Sequence, residues 1–371
     1  MKIVFAAGGT GGHINPALAA AGKIRENYPD AEILFIGTKE KMESRLVPKA
    51  GFDFETISIS GFQRKISFEN IIKNIKTLWR LMWAGRAVKK ILRKFKPNVV
   101  VGFGGYVSGP VVRTAAKMGI KTAIHEQNAF PGVTNKMLSK NADAVMLTVI
   151  EAKKYLECKN EPVVTGLPVR SEILKADRDF ARAELGVTDD TPIVFSFGGS
   201  LGAKTINTAM VDLIASLHES NKCKFIHGYG QYGKWVPDAM REKGVDVDNN
   251  KNIDVREYIY DMDKCLAAAD IIISRSGAST LSEIEAVGRA SVLIPSPNVA
   301  ENHQYHNAMT LVNVNAARVI EEKDLTREKL FDTVNELLDN KALRDEMGAN
   351  ANRLSIIDAG DRIAEIIVSL V

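Results

Sequence analysis

Short runs of apolar, often β-branched residues alternate along the chain with longer stretches whose apolar positions recur every three or four residues. That is the pattern of βα units around a parallel sheet. The runs that predict strands are Ile3–Ala7, Glu32–Ile36, Asn98–Gly102, Lys121–His125, Ala144–Leu147, Pro192–Phe197, Lys224–His227, Ile271–Ser274 and Ser291–Ile294. Most of them end in glycine, serine or histidine just before a helical stretch, which places polar chemistry at the carboxyl ends of the strands.

Two of these strands read as the first strands of separate sheets. Lys2–Ala7 runs into Gly8-Gly9-Thr10-Gly11-Gly12-His13 and then a helix through Ala17–Glu26. Pro192–Phe197 runs into Gly198-Gly199-Ser200-Leu201-Gly202-Ala203 and then a helix from Thr205 to Leu217. The repetition of one device predicts two Rossmann-like, doubly wound α/β domains, residues 1–163 and 164–354, and the 371-residue length suits two domains. Residues 355–371, with a helix at Arg362–Leu370, can pack back on the first domain.

Composition narrows the class without changing this picture. Hydrophobic residues make up 45% and charged residues 25% of the chain, the balance of a globular protein. Cys158, Cys223 and Cys265 lie far apart with no CxxC pair, which argues against a disulfide framework or a zinc site. No apolar run approaches the ~20 residues of a membrane span, so any membrane contact is expected to be peripheral. The net charge of +4 is too small for a protein that coats nucleic acid. It hides an asymmetry: residues 1–160 carry +14 and residues 161–371 carry −10. Within the basic half, Arg64–Lys96 holds eleven basic residues against the single acid Glu69. Phe68, Ile72, Ile75, Trp79 and Met82 recur there at helical spacing, with Lys73, Lys76 and Arg80 on other faces, as in a helix lying on an anionic membrane surface or one turned to a core. Ala87, Val88, Ile91, Leu92 and Phe95 are expected to pack on the sheet.

The chemistry-bearing motifs sit at the strand ends. Glycines in Gly8–Gly12 permit close backbone approach, and the amides that open the following helix can hold an anion. The third glycine of a dinucleotide fingerprint is missing, since Ile14 occupies its place, and Glu32–Ile36 ends in Gly37-Thr38 rather than a ribose-binding acid; NAD is therefore disfavoured. Ala203 separates Gly202 from Lys204-Thr205, so the phosphate-loop register of an ATPase also fails. His13, at a helix start, reads either as a neutral general base or as a cap. His125-Glu126-Gln127-Asn128 forms a second polar cluster, and Gly102–Pro110 a third glycine-rich strand end able to meet a diphosphate. In the second half, Ser274–Glu283 follows a strand and opens a helix; its small residues suit phosphate, and Glu283 suits a pair of ribose hydroxyls. Asn302–Ala308 adds amide side chains suited to sugar hydroxyls. Asp246-Val247-Asp248 and Asp261-Met262-Asp263 have the D-x-D spacing of some metal-dependent transferases. Their contexts, a polar loop and a helix start, favour chance, and no required metal or other cofactor is expected.

Taken in order, Gly8–His13, Gly102–Pro110, His125–Asn128, Gly198–Ala203, Arg275–Glu283 and Gln304-Tyr305-x-Asn307-Ala308 resemble the motifs of the MurG family, the undecaprenyl-diphospho-muramoylpentapeptide β-N-acetylglucosaminyltransferases. The resemblance implies a GT-B fold with a cleft between its halves and a peripheral enzyme on the cytoplasmic side of the cell membrane. It implies metal-independent, inverting transfer of GlcNAc from UDP-GlcNAc to lipid I, giving lipid II. Carried over by motif, Thr10, Gly11 and Gly12 would contact the donor and His13 would be the base, with His125 the alternative. Asn128 would meet the sugar, and Arg170 and Ser200 the diphosphate. Ile259 would offer backbone contacts to uracil. Ala278, Ser279, Thr280, Leu281, Ser282 and Glu283 would hold phosphate and ribose, and Gln304 would read the GlcNAc hydroxyls. Two positions depart from the pattern: Leu201 stands where glutamine is usual, and Leu167 where asparagine is usual. Other cell-wall synthesis proteins are implied as partners. The competing readings are another sugar-nucleotide enzyme of this fold, such as a soluble-acceptor transferase or a UDP-GlcNAc 2-epimerase, and a non-catalytic UDP-sugar-binding scaffold.

Overall fold

The computed structural model describes residues 1–59 and 84–371. The chain divides into two compact units, one formed by Met1–Pro168 with Asp358–Val371, the other by Val169–Ile357.

In the first unit the strands are β1 (Lys2–Ala6), β2 (Glu32–Gly37), β3 (Asp53–Thr56), β4 (Val99–Gly102), β5 (Lys121–Glu126), β6 (Ala144–Leu147) and β7 (Val163–Val164). All pair in parallel in the order β3-β2-β1-β4-β5-β6-β7. The strand order reverses between β1 and β4, where Phe5 stands level with Val101, and a doubly wound sheet opens its binding crevice at such a point. The unbroken apolar run of β1 is explained by burial on both faces. Ile3 and Phe5 face the helix α1 (Gly11–Asn27) through Ala17, Ala20 and Ile24, and α2 (Glu43–Lys49) follows β2; Val4 and Ala6 face Val88 and Leu92 of α3 (residues 84–95) and Val111 of α4 (Gly105–Lys117). The last helix, Ala359–Ser369, lays Ile363, Ala364 and Ile367 on the α1 side of this core, and Asp361 pairs with Lys23 at 3.5 Å.

The second unit repeats the plan with β8 (Ile193–Phe197), β9 (Lys224–Gly228), β10 (Ile253–Arg256), β11 (Ile271–Ser274), β12 (Ala290–Leu293) and β13 (Ala317–Val319), ordered β10-β9-β8-β11-β12-β13 and parallel throughout. Its reversal lies between β8 and β11. Behind β8 runs a helix over Lys204–Leu217, and behind β11 one over Ala278–Val287.

All nine strands expected from the sequence are present, shifted by one residue at some ends. The first helix begins at Gly11 rather than near Ala17, because Gly11, Gly12 and His13 take helical geometry as its first turn. Ala87 faces solvent instead of the sheet, while its neighbours Val88 and Leu92 are buried. The expected interfacial residues Phe68, Ile72, Lys73, Ile75, Lys76, Trp79, Arg80 and Met82 lie outside the described residues. Among the described residues no helix is long and apolar enough to cross a membrane.

Candidate functional sites at the strand ends

In the first unit, the turn after β1 and the turn after β4 interlock. Gly104 and Gly105 have φ of 93° and 73°, a region glycine enters without strain. A methyl group on Gly105 would stand 2.2 Å from the carbonyl oxygen of Gly8, and one on Gly104 would stand 2.8 Å from the His13 ring. Two backbones meet here at a distance only glycine permits. Ser108 Oγ lies 2.8 Å from Ala6 O and 2.7 Å from Gly104 O, tying the two turns together.

Thr10 is the N-cap of α1, and Gly11, Gly12 and His13 are its first three residues; the Gly11 and Gly12 amides point out of the helix start, while His13 N donates to Thr10 O at 3.1 Å. His13 Nδ1 lies 3.3 Å from Gly8 O and 3.3 Å from Thr10 Oγ. A carbonyl only accepts, so the Gly8 contact requires a proton on Nδ1, which makes Nε2 the basic nitrogen.

His125 stands apart from this chemistry. It is fully buried, stacked on Phe103 at 5.2 Å, and both ring nitrogens are engaged: Nε2 lies 3.0 Å from Gly166 O and Nδ1 3.1 Å from Gln127 Nε2. Burial pushes its pKa down to about 4, so the ring stays neutral at physiological pH. The alternative of His125 as the base is set aside on these grounds. Its neighbour Glu126, also buried and pushed upward by that burial, accepts from Asn128 N at 3.0 Å, Asn128 Nδ2 at 3.2 Å and Asn135 Nδ2 at 2.8 Å. The Asn128 side chain is thereby held by its amide nitrogen.

Sequence reasoning passed over Glu43. It is fully buried in the helix Glu43–Lys49, with Oε2 accepting from Gly9 N at 3.2 Å and Oε1 accepting from Thr38 N at 3.1 Å and Thr38 Oγ at 2.7 Å. Burial together with the Glu43 charge pushes the Tyr106 phenol upward. The only hint in the sequence was a carboxylate just after the Gly37-Thr38 strand end.

In the second unit the β8 turn is pinned by backbone bonds: Gln231 N donates to Ser200 O at 3.1 Å and Tyr232 N to Leu201 O at 3.0 Å. Ser200 and Leu201 are both exposed. Ala278–Glu283 form the first six residues of the helix Ala278–Val287, whose opening amides have no intrahelical partner and can meet a phosphate. Ser276 Oγ donates to Gln304 O at 2.7 Å, Asn307 Nδ2 donates to Ser276 O at 3.2 Å, and Gln304 Oε1 accepts from Ser296 N at 2.8 Å. Gln304 is thus fixed beside the turn that opens the phosphate helix. Arg170 Nε and Nη2 both lie 2.9 Å from Glu283 Oε1. Burial pushes Glu283 above the ordinary carboxylate range, with Arg170 opposing the shift. Ile259 is buried with its side chain against Gly228, between the exposed Tyr258 and Tyr260, so only its backbone is suited to a ligand.

The two Asp-x-Asp stretches are engaged elsewhere. Asp246 caps the amides of Asp248 and Asn249 at 3.2 and 3.0 Å, Asp248 pairs with Arg241 at 3.1 Å, and Asp261 pairs with Arg256 at 2.6 Å. Among the described residues there is no group of three or more His, Cys, Asp or Glu placed to hold a metal ion.

Two parallel, doubly wound units with glycine-rich turns before their first helices define a nucleotide-sugar glycosyltransferase fold of the GT-B type. The chain belongs to glycosyltransferase family 28: residues 3–147 match the family 28 N-terminal domain and residues 193–363 its C-terminal domain. It is 45% identical over 370 residues, covering 100% of both chains, to the UDP-N-acetylglucosamine–N-acetylmuramyl-(pentapeptide) pyrophosphoryl-undecaprenol N-acetylglucosamine transferase of Thermoanaerobacter sp. (strain X514). The enzyme of the same name from Bacillus cytotoxicus is 42% identical over 371 residues, covering 100% of this chain and 99% of that one. The crystal structure of Acinetobacter baumannii MurG superposes with a TM-score of 0.82 at 30% identity, over 99% of both chains. A Listeria monocytogenes putative UDP-N-acetylglucosamine 2-epimerase, at 14% identity and a TM-score of 0.67 over 99% of this chain and 96% of that one, shares the fold alone.

Proposed function

We infer that this chain is the hexosyltransferase that moves GlcNAc from UDP-GlcNAc to the C4 hydroxyl of the muramoyl sugar in lipid I, giving lipid II for peptidoglycan synthesis. The single observation that carries this is identity of 41–45% with transferases of that name along the whole chain. We assign His13 as the base. It takes the acceptor hydroxyl proton on Nε2 while that oxygen attacks the anomeric carbon; the bond from that carbon to the diphosphate breaks, and UDP leaves with inversion to a β link. The growing charge on the diphosphate is met by the opening amides of Ala278, Ser279 and Thr280 together with Arg170 and Ser200. Glu283 accepts from the ribose hydroxyls, and the Ile259 backbone meets uracil. Gln304 and Asn128 read the sugar, and Thr10, Gly11 and Gly12 line its approach.

The basic Arg64–Lys96 stretch is proposed to hold the protein on the cytoplasmic face of an anionic membrane, at about 1 kcal/mol per basic residue near the surface. Reversing Lys73, Lys76 and Arg80 to glutamate is then expected to weaken binding to anionic vesicles while sparing activity on a short, soluble lipid I analogue. Unchanged vesicle binding would refute that role. Contacts with other cell-wall synthesis proteins belong to the same proposal.

The reaction is tested by supplying labelled UDP-GlcNAc with and without a lipid I analogue and with and without EDTA. Label in a β-1,4-linked disaccharide only when the acceptor is present, EDTA making no difference, is the expected outcome. Altered UDP-sugar or free sugar without acceptor would point to an epimerase instead. Bound donor with no product from either would point to a scaffold.

A further inference from the structure

A buried carboxylate needs a reason, since ionising one away from water is costly unless dipoles or cations hold it. Glu43 has no cation beside it among the described residues, and its hydrogen bonds come from Gly9 N, Thr38 N and Thr38 Oγ. The Gly9 N–H belongs to the same peptide group as the Gly8 carbonyl, and that carbonyl lies 3.3 Å from His13 Nδ1. A chain of two hydrogen bonds therefore runs from the Glu43 carboxylate through one peptide group to the imidazole.

We propose that Glu43 is a positioning residue for His13, acting through the Gly8–Gly9 peptide as the buried carboxylate of a catalytic triad acts directly on its histidine. This rests on His13 being the base. A carboxylate on the amide N–H polarises the peptide and strengthens its carbonyl as an acceptor. The strengthened carbonyl holds the proton on Nδ1, which leaves Nε2 as the accepting nitrogen, and stabilises the imidazolium that forms when the acceptor proton arrives. The arrangement also assigns a different task to the first glycine turn. Its Gly9 amide is already taken by an anion, so the turn presents His13 and does not cradle a phosphate with that amide.

The glycines fit this reading. Any side chain on Gly8 would stand 2.9 Å from Glu43 Oε1, and one on Gly105 would push the Gly8 carbonyl away from its place. The titratable group facing Glu43 is Tyr106 from α4, kept protonated by burial and by Glu43 itself. Just past β5, Gln127 approaches the same turn at Gly104, and His125 behind it stays neutral.

The test combines Glu43→Gln, His13→Ala and the double variant in the full-length enzyme, with kcat, KM and thermal unfolding followed for each, and 15N-histidine NMR on the wild type and E43Q. E43Q is expected to lower kcat about tenfold, the low end of what losing a histidine's outer-shell partner costs. The KM for UDP-GlcNAc should stay within about twofold. The acidic limb of kcat should move to lower pH, because removing the carboxylate takes away a stabiliser of the imidazolium. In the H13A background E43Q should cost nothing more, and the wild-type spectrum should show the Nδ1–H tautomer. Additive losses or an unmoved limb overturn the relay while leaving His13 as base; an Nε2–H tautomer overturns the relay and Nε2 as the accepting nitrogen together. Normal turnover in H13A overturns the base and the relay together. If E43Q does not fold, the wild-type tautomer decides the question.

Discussion

Arg170 Nε donates to Glu283 Oε1 at 2.9 Å, joining the residue assigned to the donor's diphosphate to the one assigned to its ribose. Arg170 is 54% exposed and Glu283 12%, so the arginine is the mobile partner and the carboxylate the fixed one. The pair pre-sets Glu283 in its ionised form against a burial that favours the neutral acid. Because the ionised carboxylate is the stronger acceptor for ribose hydroxyls, removing either residue should act on donor binding. Arg170→Ala and Glu283→Gln are expected to raise the KM for UDP-GlcNAc about tenfold or more, the cost of one charged hydrogen bond. Arg170→Ala should change folding stability by less than about 1 kcal/mol, as for an exposed ion pair. Initial-rate kinetics beside chemical denaturation checks both.

The same pair gives a pH dependence. The Glu283 pKa is raised, so the carboxylate is protonated, and its acceptor function weakened, at a higher pH than an ordinary glutamate. UDP affinity should therefore fall on acidification while other carboxylates are still ionised. Calorimetric titration of UDP across pH 5–8 should show that fall in the wild type, an earlier fall in Arg170→Ala, and a flat, weaker profile in Glu283→Gln. A flat wild-type profile would remove Glu283 from the ribose.

His125 and His227 are both fully buried and pushed down to about 4 from an ordinary histidine value near 6.5. Above about pH 6.5 neither state takes a proton; between there and pH 4 the unfolded chain does and the folded one does not. Stability is therefore full above pH 6.5 and lost as the pH falls, by about 3 kcal/mol per histidine at the lower end. Urea denaturation at pH 7.5 and pH 5 should show the drop, with a smaller one in His125→Phe, which keeps the stack on Phe103 but carries no titrating group.

Gly105→Ala should be among the most damaging single changes in the first unit. It places a methyl group 2.2 Å from Gly8 O at a φ of 73°, so the two turns must part. The expected loss is about 2–4 kcal/mol, and more than tenfold in kcat, since His13 hangs from that carbonyl. Gly119→Ala has a similar φ of 75° with nothing within 4 Å, and serves as the control for strain without collision.

The last helix offers a test that leaves the chemistry untouched. Ile363 and Ile367 are fully buried on the α1 side of the first sheet. Ile363→Ala is expected to cost about 2–5 kcal/mol of stability, with the KM for donor unchanged. Denaturation curves compared with initial rates would show the separation.

The sequence reading failed at a consistent place. The four strands it did not find, β3, β7, β10 and β13, are the four sheet edges. An edge strand is buried on fewer sides, so Asp53–Thr56 and Ile253–Arg256 carry charged residues and lack the apolar run that betrayed β1 or β11. The strand-end motifs were legible because glycine, histidine and amide residues cluster there against an apolar background. Glu43 was not, because its partners Gly9 and Thr38 are brought to it by the fold, and a lone glutamate in a polar stretch carries no spacing signal. His125 was legible as a strand-end histidine but not as a buried one, since its stack on Phe103 and bond to Gly166 are tertiary facts.

The central claim, that His13 removes the acceptor proton, is tested most directly by rapid-quench transfer with His13→Ala beside its UDP-GlcNAc dissociation constant. The single-turnover rate should fall about 100- to 10,000-fold, the range for a lost general base, with donor affinity held within about threefold. Wild-type turnover in the variant would contradict the assignment.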